Sequence, residues 1–500
     1  MQQSPPRSRR KPVQDFSLAP VMSALDAIEH GGAGVDDALR QLRRRHDCHP
    51  SHLAWAAEAV QNVLAARAEH VAHHLPGPGA LPTEDIWVAA AELATPDARG
   101  AVRYERTAWG RRYASADGRL REIWLLSVNS VKDRTAAEIA EAAAVAVTGV
   151  PSVAGFGEPY RPTGAGAMLP EQVRVVAVGC GDGSRRVLAD WDAEEAVRQY
   201  TRHAKPALAR VIDLRANQTS PGSACVNCEG LPSCSQPPTI PLLLGVNRPR
   251  RVRRRRSVSV SDLRTHATCP AKYHLTRVLH LKSAEPESAA IRRGRAVDAW
   301  LNEQHRVRHS CRAALLPDVL PGLTTEETGP AARMIAEHAA VCPLDGLPED
   351  EQVEVQPRRT AYDPELDAVV IADPDLLYTD AGGWVWRETK TAASRPWEGR
   401  PLMESFPQLA LAVLLMSAGV LGGDPRRSRI ELELLYEDGS ACEELCPADP
   451  GTVEEARRVI AALAGPWAAD ETCTATPGHG CTGCEALRWC GPGLGHTAGS

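Results

Sequence analysis

ADPDLLYTDAGGWVWRETKT, residues 372–391, consists of two β-prone runs about a turn. Asp380-Ala381-Gly382-Gly383 is the turn signal, because glycine reaches positive φ without steric cost. In a hairpin symmetric about that turn, Asp375 stands across from Glu388. Side chains alternate along a strand, so Glu388 and Lys390 share one face while Thr389 points away. Asp375, Glu388 and Lys390 therefore converge on one patch. Two carboxylates held this close repel unless a cation joins them, and hard oxygen ligands suit Mg²⁺ or Mn²⁺. Such an ion can polarise a phosphodiester and lower the pKa of a bound water, which Lys390 is placed to orient.

Outward from the hairpin, Ser261–His280 and Ala289–His305 read as helices. Strands fall near 352–361, 367–378, 384–391 and 429–436, and a further helix spans Phe406–Val420. Helix, three-strand meander, helix and strand make an α/β order around a mixed sheet.

The same pattern is present twice. CVNCEGLPSC (Cys225, Cys228, Cys234) and CTGCEALRWC (Cys481, Cys484, Cys490) share the spacing C-x2-C-x5-C, each with Glu after the second cysteine. Upstream, VRVVAVGCGDGS and RIELELLYEDGS both end in Asp-Gly-Ser, and Gly183 to Cys225 spans 42 residues, as does Gly439 to Cys481. The expected organisation is a disordered tail at 1–30, a domain at 31–235, a Pro/Arg-rich linker at 236–257 and a domain at 258–492. The linker carries a cationic run of Arg248, Arg250, Arg251 and Arg253 through Arg256, suited to phosphates or to water alike.

The bulk properties narrow the function. The net charge of −6 gives no global field for a polyanion, so any such contact is local. No signal-type apolar segment opens the chain, and the longest apolar stretch, Leu409–Leu421, is too short to cross a bilayer. No membrane association is expected, and the expected location is cytoplasmic. The fourteen cysteines then sit in a reducing compartment, where clustered cysteine binds metal more often than it forms disulfides. Cys311, Cys342, Cys442, Cys446 and Cys473 read as ordinary thiols, and His266, His274 and His280 as packing or helix-surface residues. There is no G-x-x-x-x-G-K-[ST] phosphate loop, so any helicase motor is a separate protein.

Asp375 followed by Glu388-Thr389-Lys390 resembles the motif of the PD-(D/E)XK nucleases. The order of surrounding features resembles their RecB-like branch, whose members carry an iron–sulfur cluster and process DNA in recombination, repair, CRISPR spacer acquisition or phage defence. The resemblance covers about 235 residues. It implies two tandem restriction-endonuclease-like domains, each a mixed sheet flanked by helices. It also implies metal ligation by Asp298, in RRGRAVDAWL, where the family usually has His. Gln408 matches the family's glutamine on the helix after the lysine strand, with Ala412 in place of the frequent Tyr. Cys269, in ATCPAKYHL, matches the cysteine that joins Cys481, Cys484 and Cys490 on a [4Fe–4S] cluster. Four thiolates suit structural zinc as well, so spacing leaves both metals open. The implied activity is a Mg²⁺- or Mn²⁺-dependent deoxyribonuclease, an exonuclease acting at DNA ends or single strands. A silent DNA-binding scaffold beside a helicase and an RNA-directed nuclease are the alternatives.

In the N-terminal half, aligning Tyr113 with Tyr378 and Gly118 with Gly383 places Gly110, Ile123 and Leu125 at the positions of Asp375, Glu388 and Lys390. Glu138 falls at Gln408, and Asp298 falls near Ala72. An apolar pair cannot hold a divalent ion, so this half is expected to be a degenerate copy. Cys48, in HDCHPSHL, is the expected fourth ligand for Cys225, Cys228 and Cys234 on a second cluster.

Overall fold

The computed structural model describes every residue except 1–16, 45–47, 74–78, 95–100, 154–159, 164–168, 213–218, 248–254, 282–287, 308–310, 394–400 and 500. The chain divides into two compact units. The first comprises 1–217, 274–285 and 477–500, and the second 218–273 and 286–476. This division falls earlier than the expected linker, and each unit also takes segments from the other half of the sequence.

The first unit opens with α1 (Ala19–Glu29), α2 (Val35–Arg43) and α3 (Pro50–His73). Helix α1 lies inside the segment expected as a disordered tail. Val21, Ala24 and Leu25 recur at helical spacing and are buried, and Pro20 is compatible with the first turn. The main sheet is ordered β1-β4-β5-β8-β9, with β1 at Ala80–Pro82, β4 at Arg111–Ser115, β5 at Leu120–Ser127, β8 at Gln172–Gly179 and β9 at Arg185–Asp192. A smaller sheet is ordered β3-β2-β6-β7, from β2 (Ile86–Ala94), β3 (Ala101–Arg106), β6 (Val150–Val153) and β7 (Arg161–Pro162). α4 (Ala136–Thr148) lies on the crossover from β5 to β8, and α5 (Ala193–Gln199) and α6 (Lys205–Ile212) follow β9.

The second unit contains β10 (Arg256–Val258), α7 (Val260–Thr268), α8 (Pro270–Tyr273), α9 (Ala289–Arg306) and α10 (Thr325–Ala340). Then come β11 (Val353–Val355), β12 (Arg359–Asp363), β13 (Ala368–Ala372), β14 (Leu376–Asp380), β15 (Gly383–Thr391), α11 (Leu402–Ser405) and α12 (Pro407–Ser417). β16 (Arg429–Tyr436), β17 (Gly439–Leu445) and α13 (Pro450–Ala469) complete it. The central sheet is ordered β11-β14-β15-β16-β17, and β10-β13-β12 is a separate sheet. β14 and β15 are antiparallel, β15 and β16 parallel, and β16 and β17 antiparallel. β4, β5, β8 and β9 repeat that pattern in the first unit. The architecture is thus mixed α/β, with mixed sheets flanked by helices, as the resemblance implied.

Local chemistry explains the differences from the expected elements. The helix expected over Ser261–His280 breaks at Cys269, because Pro270 disfavours helical backbone in the residue before it. The expected meander is broken at Gln356, with φ of 47°, and at Asp373-Pro374, which sends its pieces to two sheets. α10 has no counterpart among the expected elements. Gly329 and Pro330 obscure its pattern, although Thr324 and Glu327 form a capping box at its start. Part of the expected linker is core: Leu243 and Leu244 are buried, and Asp363 Oδ2 accepts from the Leu244 amide at 2.9 Å. In the cationic run, Arg248 through Arg254 lie outside the described residues. Arg255 pairs with Asp367 at 2.7 Å, and Arg256 stacks 3.7 Å from the Trp467 ring centroid.

Candidate active site

The β14–β15 hairpin is built on a two-residue turn. Asp380 pairs with Gly383, and Ala381 and Gly382 between them have φ of 49° and 84°. Positive φ at both central residues suits the right-handed twist of the flanking strands. Gly383 is required for another reason, since a Cβ there would lie 2.5 Å from the Arg427 carbonyl. The register Leu376 to Arg387 places Asp375, one residue further out, across from Glu388. Asp375 Oδ2 accepts from the Thr389 amide at 2.8 Å and from Lys390 Nζ at 2.9 Å. Lys390 Nζ also lies 3.1 Å from Glu388 Oε2, so one ammonium bridges both carboxylates.

Burial sets the electrostatics. Glu388 is buried, and Trp386 Nε1 donates to its Oε1 at 3.0 Å. Burial, with Asp375 adding, pushes the Glu388 carboxyl up to about 7 against the pull of Lys390. Although burial alone would lower it, Glu388 and Asp375 hold the Lys390 ammonium above the usual lysine range. Asp298, on α9, is half-buried, and burial together with Asp375 raises its carboxyl as well. Gln356 ties the two acids together: its amide donates to the Asp375 carbonyl at 3.1 Å and its Nε2 to Asp298 Oδ2 at 3.0 Å. Three carboxylates and a lysine therefore surround one point.

Glu388 and Lys390 face a cleft of about 450 Å³. Glu388, Lys390 and Gln408 line one side, and Ser261, Arg264, Thr265, Thr268 and Lys272 the other. α7 is aimed by a reciprocal cap at its start, where Ser259 Oγ accepts from the Asp262 amide at 3.2 Å and Asp262 Oδ2 from the Ser259 amide at 2.9 Å. Cations and hydroxyls facing a buried carboxylate suit the oxygens of a phosphate backbone.

The eight candidate cluster cysteines divide between the units. Cys48, Cys481, Cys484 and Cys490 belong to the first, and Cys225, Cys228, Cys234 and Cys269 to the second. In the first unit Cys48, Cys484 and Cys490 all pack against the core that includes Trp55 and Trp489. In the second, the Thr476 amide donates to Cys269 Sγ at 3.5 Å. Cysteine sulfur is a donor type that suits iron or zinc.

Sequence reasoning missed two groups in the second unit. Arg387 is buried between Glu431, at 2.6 Å, and Glu433, at 3.1 Å, on the face of β15 away from the cleft. Cys311 and Cys342, read as ordinary thiols, gather with His305 and His338. Their ligand atoms, one from each residue, lie close enough together to hold an ion. The H-x3-C spacing of His338 and Cys342 was the available signal, since ligands of one zinc site often recur a few residues apart.

In the first unit Ile123 and Leu125 are buried against α4, among Ala142, Ala143, Val145 and Ala146. Opposite Ile123 the register places Arg112 instead of Gly110, because the β4–β5 pairing is offset by two residues from that of β14–β15. Gly110 has φ of 149°, and a Cβ there would lie 2.4 Å from the Trp124 carbonyl oxygen. Glu138 is spent on the capping box of α4 with Thr135. Ala72 is exposed on α3.

Residues 257–491 match the family model of the PD-(D/E)XK nuclease superfamily, which suggests a nuclease. Nucleases of that superfamily usually use divalent metals. No curated protein matches the chain. A solved structure described as "Crystal structure of SSO0001" is 17% identical, covers 48% of this chain and 87% of its own, and has a TM-score of 0.25. Among the described residues no helix is long and apolar enough to cross a membrane.

Proposed function

We propose that the second unit is a Mg²⁺- or Mn²⁺-dependent deoxyribonuclease that degrades DNA from ends or single strands, in repair, recombination or defence. The observation that carries this reading is the Asp375–Lys390–Glu388 bridge at 2.9 and 3.1 Å, whose Lys390 and Glu388 line a cleft with Arg264, Lys272 and Gln408. The donor set fits a hard divalent ion: Asp375 and Glu388 supply oxygens, with Asp298 as the third carboxylate. Such an ion would supply charge stabilisation for the phosphoryl oxygens and acidify a water. The chain's own residues do the rest. Glu388, held by Trp386, must lose its proton to act as a ligand, and Lys390 keeps its own to steady charge on the phosphate. Gln356 fixes Asp298, and the cleft wall of Ser261, Arg264, Thr265 and Lys272 positions the backbone. A separate helicase partner would supply single strands.

The test is incubation of the full chain with labelled single- and double-stranded DNA and RNA, in Mg²⁺, Mn²⁺ or EDTA. Metal-dependent shortening of DNA is expected. Cleavage by Glu388→Ala at the wild-type rate would remove the site assignment, and preferential cleavage of RNA would favour the alternative substrate.

The eight cysteines are proposed to hold two [4Fe–4S] clusters, one on each triad with a fourth thiolate. Membership of the compact units favours Cys48 for the triad Cys481, Cys484 and Cys490, and Cys269 for Cys225, Cys228 and Cys234. This exchanges the two lone cysteines relative to the sequence pairing. Protein purified without oxygen should be brown. Cys48→Ser should remove the iron that Cys481→Ser removes, and additive losses in the double variant would restore the original pairing.

A further inference from the structure

Four side chains from three separate segments meet inside the second unit, on the side of the central sheet opposite the cleft. His305 comes from the last turn of α9, and Cys311 from the short 3₁₀ turn that follows. His338 comes from the last turn of α10, and Cys342 from two residues beyond it. Their ligand atoms, one from each residue, all lie within 4.8 Å of one another. His305 Nε2 and His338 Nε2 are 3.2 Å apart, close to the roughly 3.3 Å edge between two imidazole nitrogens on a tetrahedral zinc. Cys342 Sγ lies 3.8 Å from His305 Nε2, where such a site expects roughly 3.5 Å.

The surroundings are those of a closed structural site. His338, Cys311, His305 and Cys342 are 0%, 1%, 5% and 6% exposed, so the centre has no open position for water or substrate. Apolar residues wall it in, among them Leu301, Met334, Ile335 and Leu344. The second ring nitrogen of His338 is also taken. Its Nδ1 lies 2.8 Å from Glu433 Oε1, the carboxylate–histidine arrangement that fixes the tautomer and aims the other nitrogen at a metal. Two imidazole nitrogens and two sulfurs in tetrahedral proximity select zinc over the hard ions of the cleft.

We propose that His305, Cys311, His338 and Cys342 bind one structural Zn²⁺ ion that fastens the ends of α9 and α10 beneath the catalytic strand. The route to the strand is short. Glu433 Oε2 accepts from Thr389 Oγ1 at 2.9 Å, and Thr389 stands between Glu388 and Lys390 with its side chain on the opposite face. α9 carries Asp298 two turns before His305. The ion would therefore brace the acid-bearing strand and the acid-bearing helix together, without touching the reacting atoms. Both cysteines bind as thiolates, and their two protons pass to solvent as the ion enters.

Metal analysis of the full chain decides the matter together with X-ray absorption at the zinc edge. Wild-type protein should carry about one zinc per chain, with a shell of two sulfurs and two nitrogens. Cys311→Ser/Cys342→Ser should bring zinc below about a tenth of an ion per chain while iron content stays unchanged. Cys342→His, which keeps a ligand, should retain zinc with one sulfur fewer. If the double serine variant fails to fold, the wild-type absorption edge still gives the answer. Zinc absent from wild type, a shell of four sulfurs, or a Cys311–Cys342 disulfide in its place would overturn the proposal.

Discussion

β5 and β15 hold the same place in sheets of the same order, yet one is lined with acid and base and the other with hydrocarbon. On the helix-covered face of β15 stand Glu388 and Lys390, with Asp375 across the hairpin. On the corresponding face of β5 stand Ile123 and Leu125, with Arg112 across from Ile123. The other faces are alike in kind, for each carries a buried charge knot. Glu122 binds His70 at 3.1 Å and Arg174 at 3.3 Å, while Arg387 binds Glu431 and Glu433. A sheet can therefore keep its strand order and its ionic underside while the cleft side changes from polar to apolar. The fold tolerates the exchange because Ile123 and Leu125 fill the volume by burial, whereas Glu388 is kept at the cost of desolvating a carboxylate.

The largest expected effect separates the two strands directly. Lys390→Met should lower the rate of metal-dependent DNA cleavage by about 10² to 10³, the loss typical of removing one donor to developing charge. Leu125→Met, the matching change in the first unit, should leave the rate within about twofold, since it is a volume-conserving swap. Single-turnover cleavage of end-labelled DNA measures both. Equal losses would mean that the first unit contributes catalytic groups.

The buried knots come next. Arg387→Ala and Glu122→Ala each leave buried charge without its partner, and each should destabilise the chain by about 3 kcal/mol. Urea unfolding measures this, and a midpoint unmoved by either change would show that knot to be solvated.

The pH dependence has opposite signs on the two strands. Although burial opposes it, the His70 hydrogen bond, aided by Trp124 and Arg67, holds the Glu122 carboxyl down at about 2. Its contribution is therefore present above the unfolded value of 4.5 and lost as the pH falls toward 2. Glu388 is raised to about 7, so in metal-free protein its contribution is present below 4.5 and lost as the pH rises through 7. Thermal melts in EDTA should fall between pH 4.5 and 7 for wild type, and Glu388→Gln should flatten that slope. Parallel slopes in the two proteins would refute the assignment.

The hairpin was legible from sequence because a two-residue turn and alternation fix which side chains meet. Asp375, Glu388 and Lys390 follow from counting outward from Gly382. What was not legible depends on distant partners. His305 and Cys311 look like a helix-end histidine and a loose thiol until α10 brings His338 and Cys342 to them. Arg112 was missed because the β4–β5 pairing is offset by two residues, which no turn residue announces. α1 was lost to a Pro- and Arg-rich flank, and its burial depends on a core that a local window cannot see.

The smallest expected effect tests the first unit's silence. Arg112 occupies the place across from Ile123 that Asp375 occupies across from Glu388. Its guanidinium is held below its usual range by burial, it donates to the Ala108 carbonyl at 3.0 Å, and its Nε has no partner among the described atoms. A buried cation so poorly satisfied contributes little to stability, and its stem supplies most of its packing. Arg112→Met keeps the stem and removes the charge, so urea unfolding should shift by no more than about 1 kcal/mol in either direction. Cleavage should not change. A loss of DNA cleavage or DNA affinity in Arg112→Met, with stability intact, would show that this arginine meets phosphate and that the first unit takes part in holding the substrate.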